Sequence, residues 1–199
     1  MNTKMYVGDL NGGSLLIAET RIIAKLLLDK PSEQAWKQLI VDDNVLQKKS
    51  AQTSLRFANV IRKRLQTMGE PFIHGLLNVS ETAYVQLLLA AFMVQSPIVI
   101  DFMRECLAEN KRLYLPTLSK NAWADFIVER LHTMPDLENY AESTQKKMGN
   151  NIIKALVDSG YLDSSHRRTL QAVYVCPEVI DILVQVNRTE LIQSMECTQ

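Results

Sequence analysis

Gln52, Arg56, Asn59 and Lys63 recur at i, i+4, i+7 and i+11 within QKKSAQTSLRFANVIRKRL, residues 47–65. On a helix that spacing gathers two amides and two cations into one stripe. Lys and Arg neutralise phosphates and release their counterions. Arg also forks onto guanine, and Asn or Gln pairs two-fold with adenine in the major groove. The chemistry on offer is recognition of a nucleic-acid duplex. From Asn44 to Gly69 there are six bases (Lys48, Lys49, Arg56, Arg62, Lys63 and Arg64) and no Asp or Glu. A solvated helix face ordinarily mixes signs to form i, i+4 pairs, and this one does not.

A second cationic stretch lies at 143–173. It holds Lys146, Lys147, Lys154, Arg167 and Arg168 against Asp158 and Asp163. A helix over 143–158 would bury Met148, Ile152, Ala155 and Leu156 and turn Ser143, Lys147, Asn150, Asn151 and Lys154 outward, with Lys146 at the margin. Asn is a poor helix former, so surface amides at 150 and 151 suit contact better than stability. Each stretch taken alone also fits a plain solvated face. The two together favour nucleic acid.

The rest of the chain carries 11 bases against 20 acids, so a formal net charge of zero conceals two basic patches on an acidic body. An apolar fraction of 47% with 22% charged residues is a globular balance, and seven Gly, six Pro and 7% aromatic residues in 199 favour helices over a turn-rich β sandwich. Cys106, Cys176 and Cys197 are odd in number and far apart, which fits a reducing cytoplasm. No secretory h-region opens the chain. The longest apolar run, LLLAAFMV at 87–94, is far short of the roughly 20 residues of a membrane span.

The elements that must position these residues read as consecutive helices. Ser14 caps 14–29, which ends before Pro31, and Ser32 caps 32–41. Ser50 opens the basic helix to Met68, stopped by Gly69, with Ala51, Leu55, Ala58, Ile61, Leu65 and Met68 as its inner face. FIHGLLN suits a short helical turn. Ser80 caps an apolar helix to Gln95, and 97–110 follows. KRLYLPTL, 111–118, is the best candidate joint between a helical N-terminal domain, residues 1–112, and a C-terminal domain, residues 113–199. Beyond it come a helix over 119–134, a short one after Pro135, the helix 143–160 with Gly160 at its end, and a closing helix from Pro177. YLDSSHRRTLQAVYV, 161–175, fits a loop or two short strands with a tip near Ser164–Arg168.

Catalytic signatures are missing. The glycines of VGDLNGGS lack both phosphate-loop and dinucleotide spacings. His74, His132 and His166 stand without metal-ligand partners in sequence, and each fits an ordinary core or surface role.

GGSLLIAETRIIAKLLL, DNVLQKKSAQTSLRFANVIRKRL, NAWADFIVERL and KKMGNNIIKALVDSGYLD, in that order, resemble the BrxA family of bacteriophage exclusion (BREX) systems over nearly the whole chain. The resemblance implies a small, cytoplasmic, all-helical accessory protein of a phage-defence operon. It further implies double-stranded DNA binding through helix-turn-helix elements, beside methyltransferase and ATPase components.

The expected molecule is mainly α, a compact multi-helix fold with two helix-turn-helix-like elements, the C-terminal one winged if 161–175 forms a hairpin. It is expected to be monomeric, non-enzymatic and without cofactor, metal or membrane. Lys48, Lys49, Arg62, Arg64, Lys146, Arg167 and Arg168 are assigned to phosphates. Gln52, Arg56, Asn59, Lys63, Lys147, Asn150, Asn151 and Lys154 are assigned to the groove. The first competitor is an interaction module that docks acidic surfaces of larger defence partners. A single-strand binder ranks lower, because only Phe57 and Tyr161 lie near the patches to stack bases.

Overall fold

A computed structural model describes residues 2–199. The first half carries α1 (Thr3–Val7), α2 (Ile17–Leu28), α3 (Glu33–Lys37), α4 (Ala51–Met68), α5 (Glu70–Leu76) and α6 (Glu81–Gln95). After Pro97, α7 (Ile98–Phe102) runs through a π-helical turn into α8 (Ala108–Arg112). Then come α9 (Ala122–Leu131), α10 (Glu142–Asp158), α11 (Pro177–Gln185) and α12 (Glu190–Met195). The mainly helical expectation holds.

Helices begin where the sequence supplies a cap. Ser32, Ser50 and Ser80 each accept a hydrogen bond from the amide three residues on, at Ala35, Thr53 and Ala83. Those bonds satisfy donors that a helix start leaves orphaned. Ser14 does not act this way. Its carbonyl accepts from Arg64, Leu16 takes a left-handed backbone (φ 53°), and α2 starts only at Ile17. The short helix α1 had no counterpart in the sequence pattern; Asn2 caps it through Lys4 N.

The apolar run at 87–94 lies inside α6, which is buried on all sides from Leu87 to Met93. Among the described residues no single helix is long and apolar enough to cross a membrane. α6 packs against α4, which α2 covers in turn, and α11 rests on α5 and α6. The buried apolar residues form one continuous core drawn from both halves of the chain. Across the 111–118 joint, the Phe102 ring meets Trp123 and Phe126 edge-on at 5.7 and 5.4 Å.

Of the two readings open for 161–175, the structure takes the loop and not the hairpin. No multi-residue strand forms among the described residues; 161–175 makes the single antiparallel bridge Leu162–Leu170, and Thr117 adds a second one to Thr169. The reason is local. The Asp163 carboxylate accepts from Thr169 N, and Ser164 Oγ accepts from Arg167 N. These side chains close a tight turn and leave too little chain to extend a ladder. Beyond it, Gln86 takes both main-chain groups, donating to Tyr174 O and accepting from Cys176 N, each at 2.9 Å.

Two glycines are required by close approach. At Gly8 (φ 57°) a Cβ would sit 1.8 Å from the Gln95 carbonyl oxygen. At Gly149, where α10 crosses α9, it would sit 2.4 Å from the Trp123 ring, whose Nε1 donates to Gln145 O at 2.7 Å. Gly149→Ala should therefore lower stability by about 1–3 kcal/mol through overpacking, read as a lower midpoint in urea. An unchanged midpoint would show that α9 and α10 are less tightly apposed.

Candidate nucleic-acid interface

The exposed stripe of α4 stands largely as expected. Gln52, Arg56, Asn59 and Lys63 are all solvent-exposed, and Lys49 lies just before the helix. Ala58, Ile61, Leu65 and Met68 are buried. Ala51 and Leu55, assigned to the core, are exposed instead, Leu55 at 38%, because the inner face at the start of α4 runs through Ser54, which is fully buried. The guanidinium of Arg56 lies 5.0 Å from the Phe57 ring centre.

Arg64 is a clear correction. It is only 4% exposed, so no phosphate can reach it. Its guanidinium donates to the Asp9 carboxylate at 3.0 Å, to the Ser14 carbonyl at 2.5 Å and to the Gly13 carbonyl at 2.9 Å. Its flat face lies 4.5 Å from the Phe92 ring centre. This forked geometry is one that Lys could not reproduce. Position 64 follows Ile61 by three and precedes Met68 by four, so helical periodicity already places it on the buried side.

Other cations have partners within the chain. Arg62 forks onto Glu33 at 2.5 and 3.1 Å and covers the Trp36 ring at 4.8 Å. The Lys48 ammonium bonds Glu19. Burial works to raise the Glu19 carboxyl, but the Lys48 hydrogen bond, its own backbone and the charges of Lys48 and Lys154 hold it below the usual range. Lys154 pairs with Asp158 and Arg167 with Asp163, at 2.9 and 3.0 Å. Arg168 gives its N–H groups to the carbonyls of Ser119, Lys120 and Ser165. Burial works against its charge. Asn151 donates to the Leu10 carbonyl at 2.8 Å and is half-buried.

On α10 the inner face is as expected, with Met148, Ile152, Ala155 and Leu156 buried. Lys146, Lys147 and Asn150 are exposed. Among the described residues, Lys49, Arg56, Lys63, Lys146 and Lys147 form no salt bridge. Within the two basic stretches they are the cations left for an outside anion, and the exposed amides Gln52, Asn59 and Asn150 stand beside them. Outside those stretches Lys4, Lys25, Lys37, Arg104, Lys111 and Lys120 are also exposed and unpaired among the described residues. Between α9 and α10 a cleft of about 320 Å³ is lined by Lys120, Asn121 and Gln145 as well as Lys146 and Asn150. The first three were not foreseen: Lys120 and Asn121 lie just before α9, whose packing on α10 no spacing in the sequence encodes, and Gln145 lies on α10 itself.

Groups suited to catalysis are sparse. Among the described residues no set of three or more His, Cys, Asp or Glu side chains is placed to hold a metal ion. Burial pushes the thiols of Cys106 and Cys197 up to about 12, which keeps them protonated and poorly nucleophilic at neutral pH.

The fold and surface thus define a mainly α-helical protein in which two helices, α4 and α10, set exposed cations beside exposed amides. Residues 4–187 match the BrxA family, and the chain belongs to that family. It is 40% identical over 195 residues to the BREX protein BrxA of Escherichia coli O9:H4 (strain HS), covering 98% of this chain and 92% of that one. It is 30% identical over 191 residues to the BREX protein BrxA of Paramagnetospirillum magneticum (strain ATCC 700264 / AMB-1), covering 96% of each. A crystal structure of an uncharacterized protein from Magnetospirillum magneticum superposes with a TM-score of 0.87 at 28% identity, over 97% of this chain and 99% of that one.

The separation of Arg64 from the surface cations has a direct consequence for stability. Arg64→Ala leaves Asp9 buried without its partner and should cost about 3–5 kcal/mol. Arg56→Ala, on the open face, should leave the urea midpoint almost unchanged. Equal effects of the two substitutions would contradict the assignment of Arg64 to the interior.

Proposed function

We propose that this chain is a non-enzymatic accessory protein of a BREX phage-defence system that binds double-stranded DNA. Lys49 just before α4, Arg56 and Lys63 of α4, and Lys146 and Lys147 of α10 contact the phosphates and groove edges, and Gln52, Asn59 and Asn150 meet base edges. The observation that carries this is that five exposed cations on or beside these two helices, Lys49, Arg56, Lys63, Lys146 and Lys147, have no internal carboxylate partner among the described residues and stand next to exposed amides. Charge of one sign next to bifunctional amides is what duplex recognition asks for. In this reading the helix pairs α3–α4 and α9–α10 serve as helix-turn-helix-like elements, α10 being followed by a turn in place of a full wing. The protein then works in the cytoplasm, where the DNA is.

A protein-interaction role is favoured by a different feature. Leu113, Tyr114 and Leu115 are exposed at 50, 93 and 47%, with Lys111 and Arg112 beside them. An apolar tip of this kind is not needed for phosphate contact, and it suits docking on an acidic partner of the same system, such as a methyltransferase or ATPase component.

Anisotropy titrations with duplex and single-stranded DNA at several salt concentrations test the main reading. With about five phosphates neutralised, log K for duplex should fall with log salt at a slope of roughly −4 to −5. Arg56→Glu with Lys63→Glu should weaken duplex binding at least tenfold and flatten the slope. A slope near zero, or reversals that abolish a protein complex while duplex binding persists unchanged, would hand the function to the interaction reading.

A further inference from the structure

We infer that α4 and α10 are two halves of one docking strip, spanned by a single duplex whose backbone displaces the Glu19 carboxylate from Lys48 at the seam. This deepens the duplex-binding reading and rests on it.

The seam is the N-terminal segment 8–16, which both helices grip. From α4, Arg64 holds Asp9, Gly13 and Ser14, and Val60 lies against Gly12 closely enough that a Cβ there would meet it at 2.6 Å. From α10, Asn151 holds the Leu10 carbonyl. At 100° per residue, the open stripe of α4 borders the segment on its Phe57 edge, and that of α10 borders it on its Lys147–Lys154 edge. A cleft of about 340 Å³ opens there, and Phe57, Asn151, Lys154, Glu19 and Asp158 all line it. The Lys154 end of the α10 stripe and Phe57 of α4, over which the Arg56 guanidinium lies at 5.0 Å, therefore border one cleft.

What borders the cleft is internally paired charge. Lys48 bonds Glu19, and Lys154 bonds Asp158 while its charge also reaches Glu19. Both lysines are continuous with the exposed stripes, and both carboxylates point the local field the wrong way for a polyanion. The Glu19 side chain is only 17% exposed, so water screens it weakly. Ser14, buried in the same lining, has an Oγ with no hydrogen-bond partner among the described residues. A duplex passing from α4 to α10 must bring phosphates past Glu19. Like-charge repulsion then opposes it, and transfer of Lys48 from carboxylate to phosphate relieves it. In this arrangement Glu19 and Asp158 hold affinity down.

The test uses the full chain and a fluorescent duplex of about two helical turns, roughly 20 bp, with anisotropy for affinity and sedimentation for stoichiometry. One duplex per chain is expected at saturation, and both Arg56→Glu and Lys147→Glu should weaken that one complex. Glu19→Gln should tighten it at least threefold and steepen the salt slope by about one unit. Asp158→Asn, which leaves Lys48 and Glu19 in place, should tighten it in the same direction. Circular dichroism melts identify any variant that fails to fold. Two duplexes per chain, each lost with one reversal, would overturn the single strip. So would folded Glu19→Gln and Asp158→Asn proteins that bind no tighter than wild type. If wild type binds no duplex at any salt concentration, the proposed function itself falls, a result distinct from either of these.

Discussion

Arg64 and Asp9 form the interaction on which the rest of this structure depends. A guanidinium removed from water is tolerable only if its donors are met, and here a carboxylate and two carbonyls meet them. The consequence is positional. A glycine-rich segment with little regular structure is fixed against α4, and through Leu10 and Asn151 it is fixed against α10 as well. The two basic helices come from sequence segments more than 70 residues apart, and this anchored loop touches both of them as they pack on one shared core. A charge that looked like a surface feature is the means by which the surface is assembled.

Burial and pairing sort the other cations by the same physics. Arg62 is drawn sideways onto Trp36 and Glu33, so it fastens α3 to α4. Arg168 is spent on carbonyls that join the turn at 164–168 to the start of α9. The Arg side chains of the basic windows, with their planar fork, have mostly gone to structure, with Arg56 the exception, while of the lysines Lys48 and Lys154 are paired and Lys49, Lys63, Lys146 and Lys147 remain outward. The outward surface that results on α4 and α10 is lysine-rich and carries amides. Such a surface favours positioning on the backbone over dense base readout.

Much of the helical layout was legible in the sequence because its signals are local. Serine caps at 32, 50 and 80, the stop after Met68 and the apolar periodicity of α10 need only a few neighbouring residues to interpret. The exposed stripe Gln52–Arg56–Asn59–Lys63 was legible for the same reason. Pairing was not. Lys48 meets Glu19 across 29 residues, and Arg64 meets Asp9 across 55. No spacing rule reaches that far, so each base was counted as free. The absent ladder at 161–175 has another cause. β-branched residues at its end gave a strand signal, but Asp163 and Ser164 offered the backbone a closer set of partners.

The central claim, that the outward lysines of α4 and α10 form the face that meets DNA, is tested most directly by acetylation footprinting. Lysine reactivity would be measured by mass spectrometry on the free protein and on the duplex complex. The account predicts protection of Lys49, Lys63, Lys146 and Lys147 together, with Lys37 and Lys111 unchanged. Protection confined to Lys37 or Lys111, or spread evenly over all lysines, would contradict it.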